Sequence, residues 1–263
     1  MENELKILTT KYLERYKKLL TAAPDVLLQN MESKKIHVDY FQFYNSVSSV
    51  YSSKIEGEDI DFDSFFKHKF MNIKFKPDYT KKADDLFSAY EFMLNNKLSG
   101  ENIINIHKII SNSLLPTSQQ GFIRNNIMLV INNNEEIEYV AANPQIVKTE
   151  LEKLFSDIKY LLNTELDSYE IFYFASLIHL VFVKIHPFQD GNGRTARLIE
   201  KWFLTEKLGK KAINIPSEKN YYTNLKNYYG NIKKIGLEYE ELNYENCIDF
   251  LLMLPNSMKN IKN

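Results

Sequence analysis

The chain contains little of what small secreted proteins use to hold themselves together. It has one cysteine, Cys247, in 263 residues, so neither an internal disulfide nor a cysteine-based metal site can form. A reducing compartment fits this composition. Glycine and proline are also scarce, with eight and seven residues. Because long stretches run without these breaks, the composition is typical of a mostly helical protein.

Neither sign of charge dominates. The 33 basic and 34 acidic residues give a formal net charge of −1, so a broad surface for nucleic acid is not indicated, although a local basic pocket can still exist. The first residues lack the basic-then-apolar order of a secretory signal. The most apolar stretch, 171–185, is too short to span a bilayer. We therefore predict a cytoplasmic protein that binds neither nucleic acid nor membrane.

The spacing of hydrophobic residues predicts a helical bundle with one small β element. The segment 169–185 is apolar almost all round, as expected of a helix in the middle of a bundle. A β-type run at 126–131, a polar turn at 132–136 and an alternating segment at 137–140 predict a β-hairpin. The predicted helices cover 4–21, 39–55, 81–97, 100–115, 144–163, 169–185, 194–208, 221–232 and 244–253.

One short segment combines several groups that bind a nucleotide polyphosphate. Pro187 pushes the preceding residue out of the α region, so the buried helix should end at His186. The pKa of an unperturbed imidazole lies near neutrality, which suits a general base. Asp190 supplies a carboxylate of the kind that binds Mg²⁺ between protein and phosphates. The segment reads His186-Pro187-Phe188-Gln189-Asp190-Gly191-Asn192-Gly193-Arg194-Thr195-Ala196-Arg197.

The second half of this segment is suited to an anion. Gly191 and Gly193 allow backbone N–H groups to turn toward a negative charge. A helix that starts near Arg194 adds its free N–H groups and the positive end of its dipole. Arg194 and Arg197 are three residues apart, so they share a helix face and can grip two phosphate groups. Together these residues predict a site for a nucleotide such as ATP.

The segment resembles the signature of the Fic family, His-Pro-Phe-x-(Asp/Glu)-Gly-Asn-Gly-Arg-x-x-Arg, at every position. The resemblance implies a Fic-type helical bundle with a β-hairpin flap. It also implies a protein adenylyltransferase, which transfers AMP from Mg-ATP to a Ser, Thr or Tyr hydroxyl of a target protein. In that reaction His186 would deprotonate the hydroxyl, and Asp190 would hold Mg²⁺ at the α- and β-phosphates.

The same resemblance implies the contacts to the phosphates. Asn192 and the backbone at Gly191 and Gly193 would cradle them, Arg194 would contact the β-phosphate and Arg197 the γ-phosphate. Catalysis would then depend mainly on positioning and charge neutralisation.

Two further parts of the chain are similar to features of this family. Residues 121–142 occupy the place of the flap, with candidate strands at 127–131 and 139–142. Such a flap either pairs with an extended target segment or only covers the core. Tyr221 and Tyr222 resemble a tyrosine pair that lines the adenine pocket in many relatives, although either ring can instead pack in the core. Because the family often forms dimers, a homodimer is a further expectation.

The segment Ser52-Ser53-Lys54-Ile55-Glu56-Gly57 matches the inhibitory pattern of the family, (Ser/Thr)-x-x-x-Glu-(Gly/Asn). The resemblance implies that Glu56 pairs with Arg197, so that ATP binds with its α-phosphate turned away from attack. A helix end with glycine as its stop explains the same residues without any regulation. On the inhibitory interpretation, residues 1–60 form an extension that carries the inhibitory helix, and 61–263 form the Fic catalytic domain with C-terminal helices.

The motif is compatible with more than one activity. Doc-type kinases resemble this family but carry Ala-Asn-Lys/Gly-Arg where this chain has Gly-Asn-Gly-Arg at 191–194, which disfavours phosphate transfer. Transfer of UMP and removal of AMP by a glutamate-positioned water stay open, as does a non-catalytic nucleotide-sensing module. The intact His186 and Asp190 argue against the sensing module. We expect His179 to be a hydrogen-bonded core histidine rather than a metal ligand, and we assign no role to His107.

Overall fold

A computed structural model describes residues 1–31, 39–131 and 135–259. The described residues are mostly helical with one two-stranded antiparallel sheet, which confirms the predicted fold class. The helices before the sheet are α1 (Leu13–Leu19), α2 (Pro24–Gln29), α3 (Tyr40–Ile55), α4 (Phe62–Met71), α5 (Pro77–Asn95) and α6 (Gly100–Ile110). The sheet consists of β1 (Leu129–Ile131) and β2 (Ile137–Val140). The helices after it are α7 (Pro144–Leu162), α8 (Ser168–Ile185), α9 (Asn192–Leu208), α10 (Ser217–Thr223), α11 (Leu225–Lys233), α12 (Ile248–Leu251) and α13 (Met253–Asn256).

Helix α8 is the centre of the bundle, as its sequence predicts. It begins with a capping box, in which the side chains of Asp167 and Glu170 each accept a hydrogen bond from the backbone N–H of the other residue. Every residue from 171 to 185 is buried. The helix is long and apolar enough to cross a membrane by composition, but 83% of it is buried inside the protein. Burial of this kind is that of a core helix, and α9 packs along it.

Helix α3 carries the predicted inhibitory segment and packs closely against α5 and α10. Its buried face consists largely of serines, whose small side chains allow two helices to approach closely. Asn45 donates a hydrogen bond from Nδ2 to the Phe87 carbonyl at 3.1 Å. Ser48 donates one to the carboxylate of Glu218 at 3.2 Å. These buried contacts fix α3 on the remainder of the protein.

The β-hairpin lies where the sequence predicts it. Leu129 pairs with Val140 and Val130 with Tyr139, and a bulge follows between Val130 and Ile131. The far edge of β2 is covered, since the Val140 N–H donates to the Leu237 carbonyl at 2.8 Å. The free edge of the sheet, within the described residues, is therefore that of β1. The predicted turn at 132–136 lies mostly outside the described residues.

The helices predicted over 81–97 and 100–115 have different ends in the structure, at Pro77–Asn95 and Gly100–Ile110, and three other predictions differ more. The prediction of one helix over 4–21 is wrong for its first half, because the Asp157 carboxylate accepts hydrogen bonds from the backbone N–H groups of residues 6–8 and only α1 is helical. The predicted helix 221–232 is divided into α10 and α11 at Asn224. The predicted helix 244–253 is replaced by a short 3₁₀ turn, α12 and α13.

Candidate active site

His186 stands at the point where α8 ends. Its backbone adopts a left-handed conformation, with φ 51° and ψ 61°, directly before Pro187, so the helix stops at the residue that the sequence predicts. Arg124 holds this end in place. Its guanidinium donates to the carbonyls of His186 at 2.6 Å, Ile185 at 3.2 Å and Ala142 at 2.6 Å. Arg124 therefore ties the carbonyl end of α8 to Ala142, two residues after the end of β2.

Arg124 could not be found from the sequence. A single arginine ahead of a β-type run shows no local pattern, and its partner His186 lies 62 residues further along the chain. Burial of the side chain, which is 5% exposed, marks it as structural only once the fold is known.

The imidazole of His186 has two close neighbours at Nδ1. The Tyr139 hydroxyl lies 3.0 Å away and the Val183 carbonyl 3.3 Å away. Burial lowers the pKa of His186 to about 4. The ring is therefore neutral at physiological pH, and a neutral imidazole has the free electron pair that a general base requires.

A second histidine, His107, supports the loop that follows His186. The ring of Phe188 stacks on that of His107, with centroids 3.6 Å apart. His107 Nδ1 accepts a hydrogen bond from the Gly121 N–H, and Nε2 donates to the Asp190 carbonyl, each at 2.9 Å. Burial lowers the pKa of His107 to about 4, so it remains neutral while it fills both positions. His107, to which the sequence assigns no role, therefore supports this loop.

Asn192 and Gly191 shape the start of α9. Asn192 uses both polar atoms of its side chain on the backbone of Phe188, at 2.9 and 2.8 Å. Gly191 has φ 78°, a left-handed conformation that glycine adopts without strain. Asp190 is exposed, and its carboxylate accepts from the Gly191 N–H at 2.5 Å. The loop thus presents one solvent-exposed carboxylate, that of Asp190, beside the amino end of α9.

The two arginines of the motif are buried, and each faces a glutamate. Arg197, 1% exposed, donates from Nη2 to the Glu56 carboxylate at 2.5 Å. It also donates to the hydroxyl and the carbonyl of Ser52, at 2.9 and 3.1 Å, and to the Tyr228 hydroxyl at 3.2 Å. Arg194 donates from Nη2 to the Glu58 carboxylate at 3.3 Å, while its buried Nε has no partner among the described residues.

Glu56 lies directly on the first turn of α9. A Cβ atom added at Gly193 would come within 2.6 Å of the Glu56 Oε1, so the carboxylate approaches the backbone where only glycine leaves room. Burial acts to raise the pKa of Glu56, but Arg197 and Arg194 outweigh it and the pKa lies below its ordinary value. A carboxylate of the chain itself thus occupies the place where the sequence predicts an anion.

The adjacent residues Tyr221 and Tyr222 have different surroundings in the structure. Tyr221 is fully buried and donates to the Glu200 carboxylate at 2.7 Å, so it packs in the core, the alternative that the sequence leaves open for either ring. His179 shares this carboxylate at 2.8 Å and is a core histidine, as expected. Tyr222 is partly buried, and its ring lies 5.7 Å from that of Tyr51 on α3.

These contacts bring together most of the predicted site. His186, Asp190, Gly191, the first residues of α9 and both arginines lie at the junction of α8 and α9, next to the end of α3. Gly57, the residue after Glu56, has φ 85°, a left-handed conformation that suits glycine.

Comparisons with known proteins identify the domain that contains most of these residues. Residues 97–204 match the model of the Fic/DOC family. This segment, which contains the whole His186–Arg197 motif, is a Fic domain. Domains of this family generally transfer nucleotidyl or phosphoryl groups.

Solved structures of Fic proteins share the fold at low sequence identity. A Fic family protein from Desulfovibrio desulfuricans is 16% identical with a TM-score of 0.71, covering 94% of this chain and 70% of its own. A Fic domain containing signaling protein from Bacteroides thetaiotaomicron is 17% identical with a TM-score of 0.62, covering 95% and 93%. Fic-1 from C. elegans is 17% identical with a TM-score of 0.64, covering 95% and 69%. The shared fold therefore extends well beyond the segment that the family model matches.

Proposed function

We propose that this protein transfers AMP from Mg-ATP to a Ser, Thr or Tyr hydroxyl of a target protein. The observation that carries the proposal is the Glu56 carboxylate, which lies on the amino end of α9 between Gly193 and Arg197. An anion is already held where the nucleotide phosphates would bind. The buried Nε of Arg194, which has no partner among the described residues, supplies a further donor for a phosphate oxygen.

The chemistry follows from the groups around this anion site. His186, neutral through burial, would take the proton of the target hydroxyl, and the hydroxyl oxygen would attack the α-phosphorus. Pyrophosphate would leave with its charge held by Arg194 and Arg197. Asp190, an exposed carboxylate beside the loop, would hold the Mg²⁺ that accompanies ATP. Asn192 would act mainly by shaping the loop, since its side chain is bonded to Phe188.

The proposal includes autoinhibition by the end of α3. Glu56 pairs with Arg197, and two residues later Glu58 pairs with Arg194. Glu58 also pairs with Lys82. Both arginines that would grip the β- and γ-phosphates are thus held by carboxylates from one segment. A triphosphate and these two carboxylates compete for the same guanidinium groups, so activity requires that the segment release them.

The base of the nucleotide would bind beside α3. Tyr222 lies next to Tyr51, and the Lys54 ammonium lies 5.3 Å from the centre of the Tyr222 ring. Tyr229 is also partly buried here and donates its hydroxyl to the Ile55 carbonyl at 3.1 Å. Aromatic rings suit a flat base, so we assign the adenine contact to Tyr222 with Tyr229 in place of Tyr221.

The target protein would bind along β1. The outer edge of this strand is unpaired within the described residues, and exposed edges accept an extended segment as an additional strand. Large apolar side chains are exposed on this strand and just before it, with Leu129 43% and Ile127 71% exposed. We propose a target segment that is extended and apolar next to the modified hydroxyl. A cytoplasmic location and a homodimer stay predictions from the sequence.

Mass spectrometry tests the reaction class. We expect the Glu56→Gly variant, incubated with ATP, Mg²⁺ and host lysate, to add the mass of AMP to Ser, Thr or Tyr of a target or of itself. UMP or phosphate would each add a different mass, and loss of AMP from a modified protein would indicate the reverse reaction. If ATP bound without any modification, the protein would be a nucleotide-sensing module instead.

Variants of the flap test binding of the target protein separately from binding of ATP. We expect the double variant Ile127→Ser, Leu129→Ser to raise the KM for the target protein about tenfold and leave the KM for ATP unchanged, because it removes apolar contact area at the docking edge only. Steady-state rates at varied target concentration measure this. Met71→Ser, an equally exposed apolar residue on α4, is the matched control. An unchanged KM for the target in the double variant would exclude docking on this edge.

A further inference from the structure

Tyr139 is the residue of the flap that touches the proposed base. It is the third residue of β2, it is 5% exposed, and its hydroxyl lies 3.0 Å from Nδ1 of His186. The ring also contacts Lys184, whose Nζ lies 4.4 Å from the ring centre and donates to the Gly236 carbonyl at 2.9 Å. Burial and these contacts fix the position of the hydroxyl next to the imidazole.

The neighbours of Nδ1 determine which ring nitrogen carries the proton. A carbonyl oxygen can only accept a hydrogen bond, so the Val183 carbonyl, at 3.3 Å, is bonded to Nδ1 only in the tautomer with the proton on Nδ1. The Tyr139 hydroxyl lies closer, at 3.0 Å, and can donate or accept; in that tautomer its oxygen accepts from the same N–H. Nε2 has no hydrogen-bond partner among the described residues. The tautomer with the proton on Nδ1 is the one in which both contacts are hydrogen bonds, and in it Nε2 is the unprotonated nitrogen.

We propose that Tyr139 is a positioning residue for His186. Its hydroxyl oxygen and the Val183 carbonyl together hold the proton on Nδ1, so that Nε2 is free to take the proton of the target hydroxyl. When His186 becomes imidazolium, the same two oxygens stabilise the Nδ1–H. This inference rests on the proposed function, in which His186 is the base.

The position of Tyr139 also links the base to the flap. Tyr139 pairs with Val130 of β1, and the outer edge of β1 is the one proposed to receive the target. A target strand on that edge would lie one strand away from the residue that holds the imidazole. The same short ladder thus places both the hydroxyl and the base.

Replacing the tyrosine with phenylalanine tests this role. Tyr139→Phe keeps the ring and its contacts with Lys184 and His186 and removes only the oxygen. In the Glu56→Gly background we expect kcat to fall roughly tenfold to a hundredfold, the range for a hydrogen bond to a charged group, with the KM for ATP unchanged. Tyr173→Phe is the matched control, because this buried tyrosine also loses one hydrogen bond, to the Thr9 carbonyl, far from the flap.

The tautomer is measured directly by NMR of protein labelled with ¹⁵N-histidine, with the signals of His186 assigned by their loss in His186→Ala. We expect Nδ1 to be protonated and Nε2 unprotonated in the parent protein, and a mixture of the two tautomers in Tyr139→Phe. A parent protein with the proton on Nε2, or a Tyr139→Phe variant with unchanged kcat and tautomer, would overturn the inference. Because the spectra need no transfer activity, a protein that modified nothing would refute the proposed function without deciding the role of Tyr139.

Discussion

His186→Ala, made in the Glu56→Gly background, is expected to lower the rate of AMP transfer by roughly 10²- to 10⁴-fold, the usual contribution of a general base. The physical reason is that the target hydroxyl must lose its proton as it attacks, and the neutral imidazole at the end of α8 is the group placed to accept it. Binding of ATP should be unchanged, because the arginines, the loop and the amino end of α9 remain. Transfer from labelled ATP and calorimetric binding of ATP measure the two quantities separately.

His68→Ala is the matched control for the loss of a histidine. This residue lies on α4, where it contacts the Asp84 carboxylate at 3.2 Å, and no part of the proposed site depends on it. We expect its transfer rate to equal that of the parent. If His186→Ala transferred AMP at the parental rate, another group would have to be the base. If it also lost ATP binding, the histidine would be needed for the shape of the loop.

The features of this site that sequence reasoning predicts are those determined by neighbours along the chain. The end of α8 at His186 follows from Pro187, and the start of α9 follows from the conformational freedom of Gly191. The proximity of Glu56 and Arg197 could not be derived from spacing, since 141 residues separate them. It was predicted only because the sequence of both segments resembles a known family.

The residues that support the His186 loop cannot be predicted from the sequence. Arg124, His107 and Tyr139 each reach the His186 loop across 47 to 83 residues of sequence, and none of them stands in a motif. The same limit explains the N-terminal error. The hydrophobic spacing of residues 4–21 is helical, but Asp157 offers the backbone of residues 6–8 a better set of partners. Periodicity describes which face is buried and does not show such a distant carboxylate.

The second large effect is expected from Glu56→Gly, which should raise the rate of AMP transfer, including transfer to the protein itself, about 5- to 150-fold, the range of typical coupling between two sites. Removing the carboxylate frees Arg197 for the γ-phosphate and clears the backbone at Gly193, against which Oε1 now lies. Because the competing group and the phosphate are both anions at one guanidinium, the gain should be largest at low ATP concentration. Initial rates with labelled ATP over a range of concentrations measure it.

Glu58→Gly separates this mechanism from a general loss of negative charge. It removes one carboxylate from the same segment, two residues further on, and releases Arg194 and Lys82, but it leaves Glu56 on Arg197. We expect a smaller increase, because the Glu58 contact to Arg194 is longer, at 3.3 Å, than the 2.5 Å contact of Glu56 to Arg197. The double variant should be the most active. Equal activation by the two single variants would mean that loosening of the segment, and not capture of Arg197, limits the enzyme, and no activation by Glu56→Gly would remove the inhibitory role altogether.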